Sequence, residues 1–227
     1  MDAPLVLNIL TPDELQVTLR GLGRGAHVLQ IGAMDGVAFD PVHAMIREMG
    51  WRGTLVEPIP DMFDALRANY ASAEGLSFVN KAVTTYDGMI EMTRIDPKAV
   101  EEAGISKEAL GISTTMPDRG VLVKAGGELK SILEKYRRTL SVPCCTMETL
   151  LREQKIERVD MLVIDTEGAD WMILQQFPIE RYRPRIIFFE VAHLTPAEMQ
   201  ASFAHLMQAG YALRVDPSRE NILAERK

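Results

Sequence analysis

The sequence predicts a doubly wound α/β fold, a seven-stranded mixed sheet with helices on both faces. Three observations carry that expectation. The first eighty residues or so alternate strand-length apolar runs with helical stretches through short connections, the pattern of a parallel sheet with right-handed crossovers. An apolar run at 27–31 ends in Gly32-Ala33-Met34-Asp35-Gly36, where small residues let the chain turn sharply into a helix. The C-terminal stretch reads as an antiparallel hairpin, which makes the sheet mixed.

Each element has its own signal. In Thr11-Pro12-Asp13-Glu14 a capping threonine precedes a proline at the first helical position and a glutamate at the third. That helix runs out at Gly21, Gly23 and Gly25. His27-Val28-Leu29-Gln30-Ile31 is a short buried strand, and a helix over 41–49 is stopped by Gly50. Thr54-Leu55-Val56-Glu57 is the second strand. The helix over 60–70 sets Met62, Phe63, Leu66 and Tyr70 on one face. Residues 76–83 form a third strand, and 88–95 an added strand paired with its predecessor across Asp87-Gly88. Apart from a short helix at 98–103, the segment 96–127 lacks periodicity. A stretch of that length inside a compact domain is functional or mobile, and it reads as a lid or substrate segment.

Regularity returns with a helix at 129–138, a strand at 139–144 and a helix at 146–157. Val159-Asp160-Met161-Leu162-Val163-Ile164-Asp165 is a strand buried on both faces. A helix at 169–176 and a buried strand at 185–191 follow. Thr195-Pro196-Ala197-Glu198 repeats the capping pattern and opens a helix that ends at Gly210. Runs at 211–215 and 221–224 flank a polar turn at Pro217-Ser218. With no repeat, linker or second core, residues 1–227 read as one domain with an N-terminal helical extension over 1–26.

Composition narrows the function. At 47% hydrophobic and 25% charged, the 227 residues are globular in character. A net charge of −7 argues against a phosphate-binding surface, so nucleic acid is not an expected partner despite the basic run Lys135-Tyr136-Arg137-Arg138. The two cysteines, Cys144 and Cys145, are adjacent and poorly placed to bridge; they read as reduced thiols, in keeping with a cytoplasmic protein. The four histidines are scattered, and no metal is expected. No apolar run is long enough to span a membrane, and the first ten residues lack the basic start of a secretion signal.

The glycine turn at 32–36 brings backbone and free helix N–H groups to the carboxyl end of the first strand. Alone, it fits an ordinary strand-to-helix turn equally well. Glu57 adds weight, because it closes the second strand about twenty residues further on, where such folds hold an acid against the ribose of a nucleoside cofactor. A carboxylate suits two hydroxyl donors because it only accepts. Met34 stands where a dinucleotide fingerprint carries its middle glycine. That weakens a nicotinamide reading and suits a cofactor without phosphates.

The run from Val159 to Asp170, an apolar strand ending in Asp165-Thr166-Glu167-Gly168-Ala169-Asp170, resembles the hallmark of the FkbM methyltransferases. Asn80-Lys81-Ala82-Val83 with Asp87-Gly88, Thr146-Met147-Glu148-Thr149-Leu150-Leu151, and Phe189-Glu190-Val191 with His193 resemble that family's other segments in the same order. The resemblance implies a Rossmann-like S-adenosylmethionine-dependent enzyme that O-methylates a hydroxyl of a sugar, glycolipid or secondary metabolite. Residue reading and resemblance together assign Gln30, Gly32, Ala33, Asp35, Gly36, Glu57, Asn80, Ala82 and Asp165 to the cofactor. Asp165 and His193 are the candidate catalytic bases. Thr114, Thr115, Glu167 and Glu190 are candidate acceptor contacts. One departure stands out: Gln30 occupies a position where the family has an acid facing the cofactor's methionine end. A nicotinamide-dependent oxidoreductase and a non-catalytic cofactor-binding domain are the alternatives, and a homodimer stays open.

Overall fold

The structure is a computed structural model that describes residues 7–38, 40–106, 110, 113–118 and 127–226. The chain opens with β1 (Asn8–Ile9), α1 (Pro12–Arg20), β2 (His27–Ile31), α2 (His43–Met49), β3 (Arg52–Val56) and α3 (Pro60–Asn69). It continues through β4 (Leu76–Val79), β5 (Ala82–Val83), β6 (Gly88–Ile95), α4 (Lys98–Ala103), β7 (Ser113–Thr114), α5 (Gly127–Tyr136) and β8 (Arg137–Cys145). The last third holds α6 (Met147–Glu153), β9 (Met161–Ile164), α7 (Asp170–Leu174), α8 (Ile179–Tyr182) and β10 (Ile186–Glu190). It closes with α9 (Pro196–Gln208), β11 (Tyr211–Val215) and β12 (Asn221–Arg226). Both capping motifs form: Thr11 and Thr195 each accept from the N–H of the glutamate three residues on, and that glutamate accepts from the threonine N–H.

The main sheet has the order β1-β11-β12-β10-β9-β2-β3-β4. β12 runs antiparallel to both neighbours, and the other pairs are parallel. The sheet therefore has eight strands where the sequence suggests seven. The difference is β1, two residues within the N-terminal extension that pair with β11. So short a strand leaves no periodic trace in the sequence.

Period-two alternation divides the sheet between two cores. Val28, Leu55, Met161, Val163 and Phe188 pack with Leu19, Met45, Ile46 and Leu66 of α1, α2 and α3. Leu29, Ile31, Val56, Leu162, Ile164 and Phe189 face the other way, onto α6, α7, α8 and α9 through Leu150, Ile173, Ile179 and Leu206. Helices thus cover both faces, as expected of strands apolar on both sides. Among the described residues no helix is long and apolar enough to cross a membrane.

A second sheet, β5-β8-β6-β7, departs from the sequence reading. The run at 76–83 is two strands: β4 stays in the main sheet, while β5 pairs with β8. β6 is antiparallel to β8 over eight residue pairs, so it does not form a hairpin with its predecessor. Ile59 packs against Ala82, Met92, Val142 and Cys144 and so ties the start of α3 to this sheet. Arg94 of β6 adds a two-pronged ion pair with Asp61 of α3. The adjacent cysteines lie buried and unbridged at the end of β8. Of the expected lid segment, 107–109, 111–112 and 119–126 lie outside the described residues. The described remainder supplies α4 and β7.

Candidate active site

The carboxyl ends of β2, β3, β9 and β10 open into a cavity of about 670 Å3, inside the range of roughly 300–1,000 Å3 common for small-molecule sites. It sits where the strand order reverses, with β3 on one side of β2 and β9 on the other. Gln30, Gly32, Ala33, Glu57, Ala82, Thr115, Asp165, Glu167 and Glu190 all line it.

The turn after β2 is shaped by contacts that only glycine permits. Gly32 has a φ of +82°, and a Cβ there would fall 1.7 Å from the Asp165 carbonyl oxygen, so this residue lets the ends of β2 and β9 touch. The Gly32 and Ala33 N–H groups both donate to the Val56 carbonyl at 3.0 Å, which binds the turn to β3. At Gly36, φ +74°, a side chain would strike Tyr70 and Leu66 of the α3 region. Met34 between them holds a left-handed φ of +47°, rare for a side chain of its size, and it lines the cavity.

Glu57 follows the last residue of β3 and is only 5% exposed. One carboxylate oxygen accepts the Ile59 N–H at 2.8 Å and the other the Met34 N–H at 2.9 Å. Burial pushes its pKa up to about 8, against the lowering effect of those two bonds and of Arg94. Each oxygen keeps a lone pair for a further donor. Gln30, near the end of β2, is 3% exposed, and its amide oxygen has no hydrogen-bond partner. Beside it stands Asp40, whose pKa burial raises to about 6 and whose Oδ2 also lacks a partner.

A second turn, Asp165-Thr166-Glu167-Gly168, leaves β9. Asp170, fully buried, accepts the Thr166 and Gly168 N–H groups at 3.1 Å each, one on either oxygen. The acid that ends the motif is thus the clamp that shapes the turn. Within it Glu167 takes a φ of +56°. Burial raises the pKa of Asp165 and of Glu190, and each is raised further by neighbouring carboxylates. His193 Nε2 lies 3.0 Å from Glu167 Oε2 and 3.4 Å from Glu190 Oε1.

Five expected site residues stand behind the wall rather than in it: Asp35, Gly36, Asn80, Thr114 and His193 are not among the lining residues. Asp35 caps its own turn by accepting the Val37 and Ala38 N–H groups at 2.9 Å. Asn80 donates to the carbonyls of Glu57 and Pro58 at 2.8 and 3.0 Å and so fixes the loop that carries Glu57. Thr114 donates to the Glu167 carbonyl at 2.9 Å, tying β7 to the second turn. Asp35, Asn80 and Thr114 thus make their contacts with backbone groups, whereas His193 faces two glutamate side chains. Conversely, Asp40, Lys81, Thr166 and Glu220 line the cavity unforeseen. Asp40 lies just ahead of α2 and accepts the Val42 N–H at 2.7 Å. Nothing local signals that its other oxygen turns inward. Glu220 lies in a hairpin turn that only the tertiary fold brings to the site.

Residues 30–213 match the family model described as Methyltransferase FkbM domain. No curated protein matches the chain by sequence. Among solved structures, the chain is similar to an FkbM methyltransferase from Methylobacillus flagellatus KT, with a TM-score of 0.53 and 11% identity over 89% of this chain. It spans 43% of that protein, less than half its length. A precorrin-6y C5,15-methyltransferase from Geobacter metallireducens GS-15 aligns at TM-score 0.47 and 11% identity, covering 95% of this chain and 88% of that one. At 11% identity the likeness to the first of these is one of fold. The family match covers most of the chain, including both turns, and on that ground the chain belongs to the FkbM methyltransferase family.

Proposed function

We propose that the chain binds S-adenosylmethionine in this cavity and transfers its methyl group to a hydroxyl of a sugar, glycolipid or secondary metabolite. One observation supports this above the rest. Glu57 and Gln30 offer a buried carboxylate with spare acceptor sites and a buried amide oxygen without a partner, both at the wall of one cavity beside the glycine turn. Two ribose hydroxyls donate to the first and an ammonium group to the second. Gln30 thereby keeps the accepting function of the acid it replaces, without the charge.

The cofactor supplies a methyl group activated on a sulfonium, so the protein has mainly to position, desolvate and move one proton. Glu57 holds the ribose end, and Gln30 the amino-acid end. Ala82, Val83, Met92 and Phe188 give the cavity apolar walls that keep water from the reacting carbon. Asp165 is the residue we assign to the proton. Its carboxylate would accept the acceptor hydroxyl's proton as that oxygen bonds to the methyl carbon and the carbon–sulfur bond breaks to leave S-adenosylhomocysteine, a role worth about 10²–10⁴-fold in general base catalysis. His193 is the weaker base candidate, because its ring is engaged by two glutamates and does not line the cavity.

Calorimetry with S-adenosylhomocysteine tests the reading. One molecule should bind per chain, and above pH 8, where Glu57 is ionised, Glu57→Gln should weaken binding by roughly 10–100-fold, the worth of about 1.5–3 kcal/mol for hydrogen bonds to a charged group. No binding by the folded chain, or an unchanged affinity in both Glu57→Gln and Glu57→Ala, contradicts it. NADH is the control: Met34 stands where a pyrophosphate needs a glycine, so NADH binding tighter than S-adenosylhomocysteine also contradicts it.

A further inference from the structure

Glu167, Glu190 and His193 come from three places in the chain. Glu167 sits in the turn after β9, Glu190 ends β10, and His193 follows in the connection to α9. One donor atom from each lies within 4.8 Å of the other two. The imidazole Nε2 is 3.0 Å from one carboxylate and 3.4 Å from the other.

A hydrogen-bonded ion pair does not account for these contacts. Glu167 Oε2 is buried and makes no hydrogen bond despite its 3.0 Å approach to the ring nitrogen. Glu190, which is 9% exposed, has a buried Oε2 that is also unpartnered. His193 Nδ1 is without a partner too, so nothing on the far side of the ring commits Nε2 to carrying a proton. Among the described residues no lysine or arginine pairs with either glutamate. A single imidazole faces both of them.

Donors that surround one ion have these properties. With metal–ligand bonds of about 2.0–2.2 Å, neighbouring donors stand roughly 3 Å apart in octahedral and roughly 3.4 Å apart in tetrahedral coordination. Each oxygen then lies to the side of the imidazole lone pair, which points at the ion. We propose that Glu167, Glu190 and His193 form a binding site for one divalent transition-metal cation at the edge of the cavity. Two carboxylates and one imidazole suit Mn2+ or Zn2+. The scaffold is stiff where it must be: Asp170 clamps the turn that presents Glu167, and Thr114 donates to the Glu167 carbonyl.

Both glutamates line the cavity and His193 lies behind it, so the ion's open positions face the space where an acceptor would enter. An acceptor oxygen bound there would be more acidic and fixed in direction, a consequence that rests on the methyl-transfer reading. The metal site itself does not depend on that reading.

The test is titration of the 227-residue chain with Mn2+ alone, without nucleoside, followed by the paramagnetic resonance signal of free Mn2+. One ion should bind per chain, and it should raise the melting temperature. Glu190→Gln and His193→Asn should each weaken binding at least about tenfold and abolish the melting shift, while the surface control Glu48→Gln should do neither. Far-UV circular dichroism establishes that each variant is folded; should His193→Asn fail to fold, the near-isosteric Glu190→Gln decides. Absence of stoichiometric Mn2+ and Zn2+ binding by the native chain overturns the proposal, as does unchanged affinity in folded Glu190→Gln. Calorimetry with S-adenosylhomocysteine runs independently, so either proposal can fail alone.

Discussion

At the scale of single residues, the site is built from groups held out of their ordinary states. Glu57 is a carboxylate that burial pushes from 4.5 to about 8. Below the lower value it is protonated whether the chain is folded or not. Between the two, the native state keeps a proton that the unfolded chain has released, so stability falls as pH rises through that window. Glu57→Gln should remove this contribution. Urea midpoints measured from pH 5 to 8 should show a shallower decline for the variant than for the native chain; parallel curves would contradict it. On the proposed reading the same proton links to binding, because an ionised carboxylate can accept from both ribose hydroxyls. Affinity for S-adenosylhomocysteine should therefore gain more from raising the pH to 8 in the native chain than in the variant. Glu57 itself was legible from its place at a strand end. Its two backbone bonds were not, because Met34 and Ile59 reach it only through the folded turn.

At the scale of elements, legibility follows how local the cause is. Thr11 and Thr195 announce their helices because cap, proline and glutamate lie within four residues, and both capping boxes form. Thr195→Ala should cost α9 about 1 kcal/mol, read as a lower urea midpoint with an unchanged slope. A loss within experimental error would show the cap to be idle. β5 and β6 mark the opposite limit. Nothing within the run at 76–83 indicates that its last two residues leave β4's sheet for a partner sixty residues away. Asp87-Gly88 has the sequence of a hairpin turn, but β6 pairs with β8, whose register depends on contacts distant in sequence. Sequence periodicity identifies a strand without naming its neighbour. The same reasoning explains Asp35, Asn80 and Thr114. Their positions in the motif were readable, while the backbone groups they bond were not.

At the scale of the whole molecule, two sheets meet around α3, and the cavity opens beside that junction. The main sheet supplies Gln30, Glu57, Asp165 and Glu190 from four strand ends. The second sheet adds Ala82, Met92 and Ser113. An arrangement assembled from strand ends at a switch point can be expected from the order of strands and helices alone. Its acidity cannot, because Asp40, Glu167 and Glu220 arrive from turns. On the proposed reading, this acidic cavity takes a nucleoside against Glu57 and an amino-acid tail against Gln30. A crystal structure of the chain with S-adenosylhomocysteine tests it most directly. Both ribose hydroxyls are expected within hydrogen-bond distance of the Glu57 carboxylate, with the ligand's ammonium group beside the Gln30 amide oxygen. A ligand lying elsewhere in the cavity, with Glu57 still bonded only to Met34 and Ile59, would contradict it.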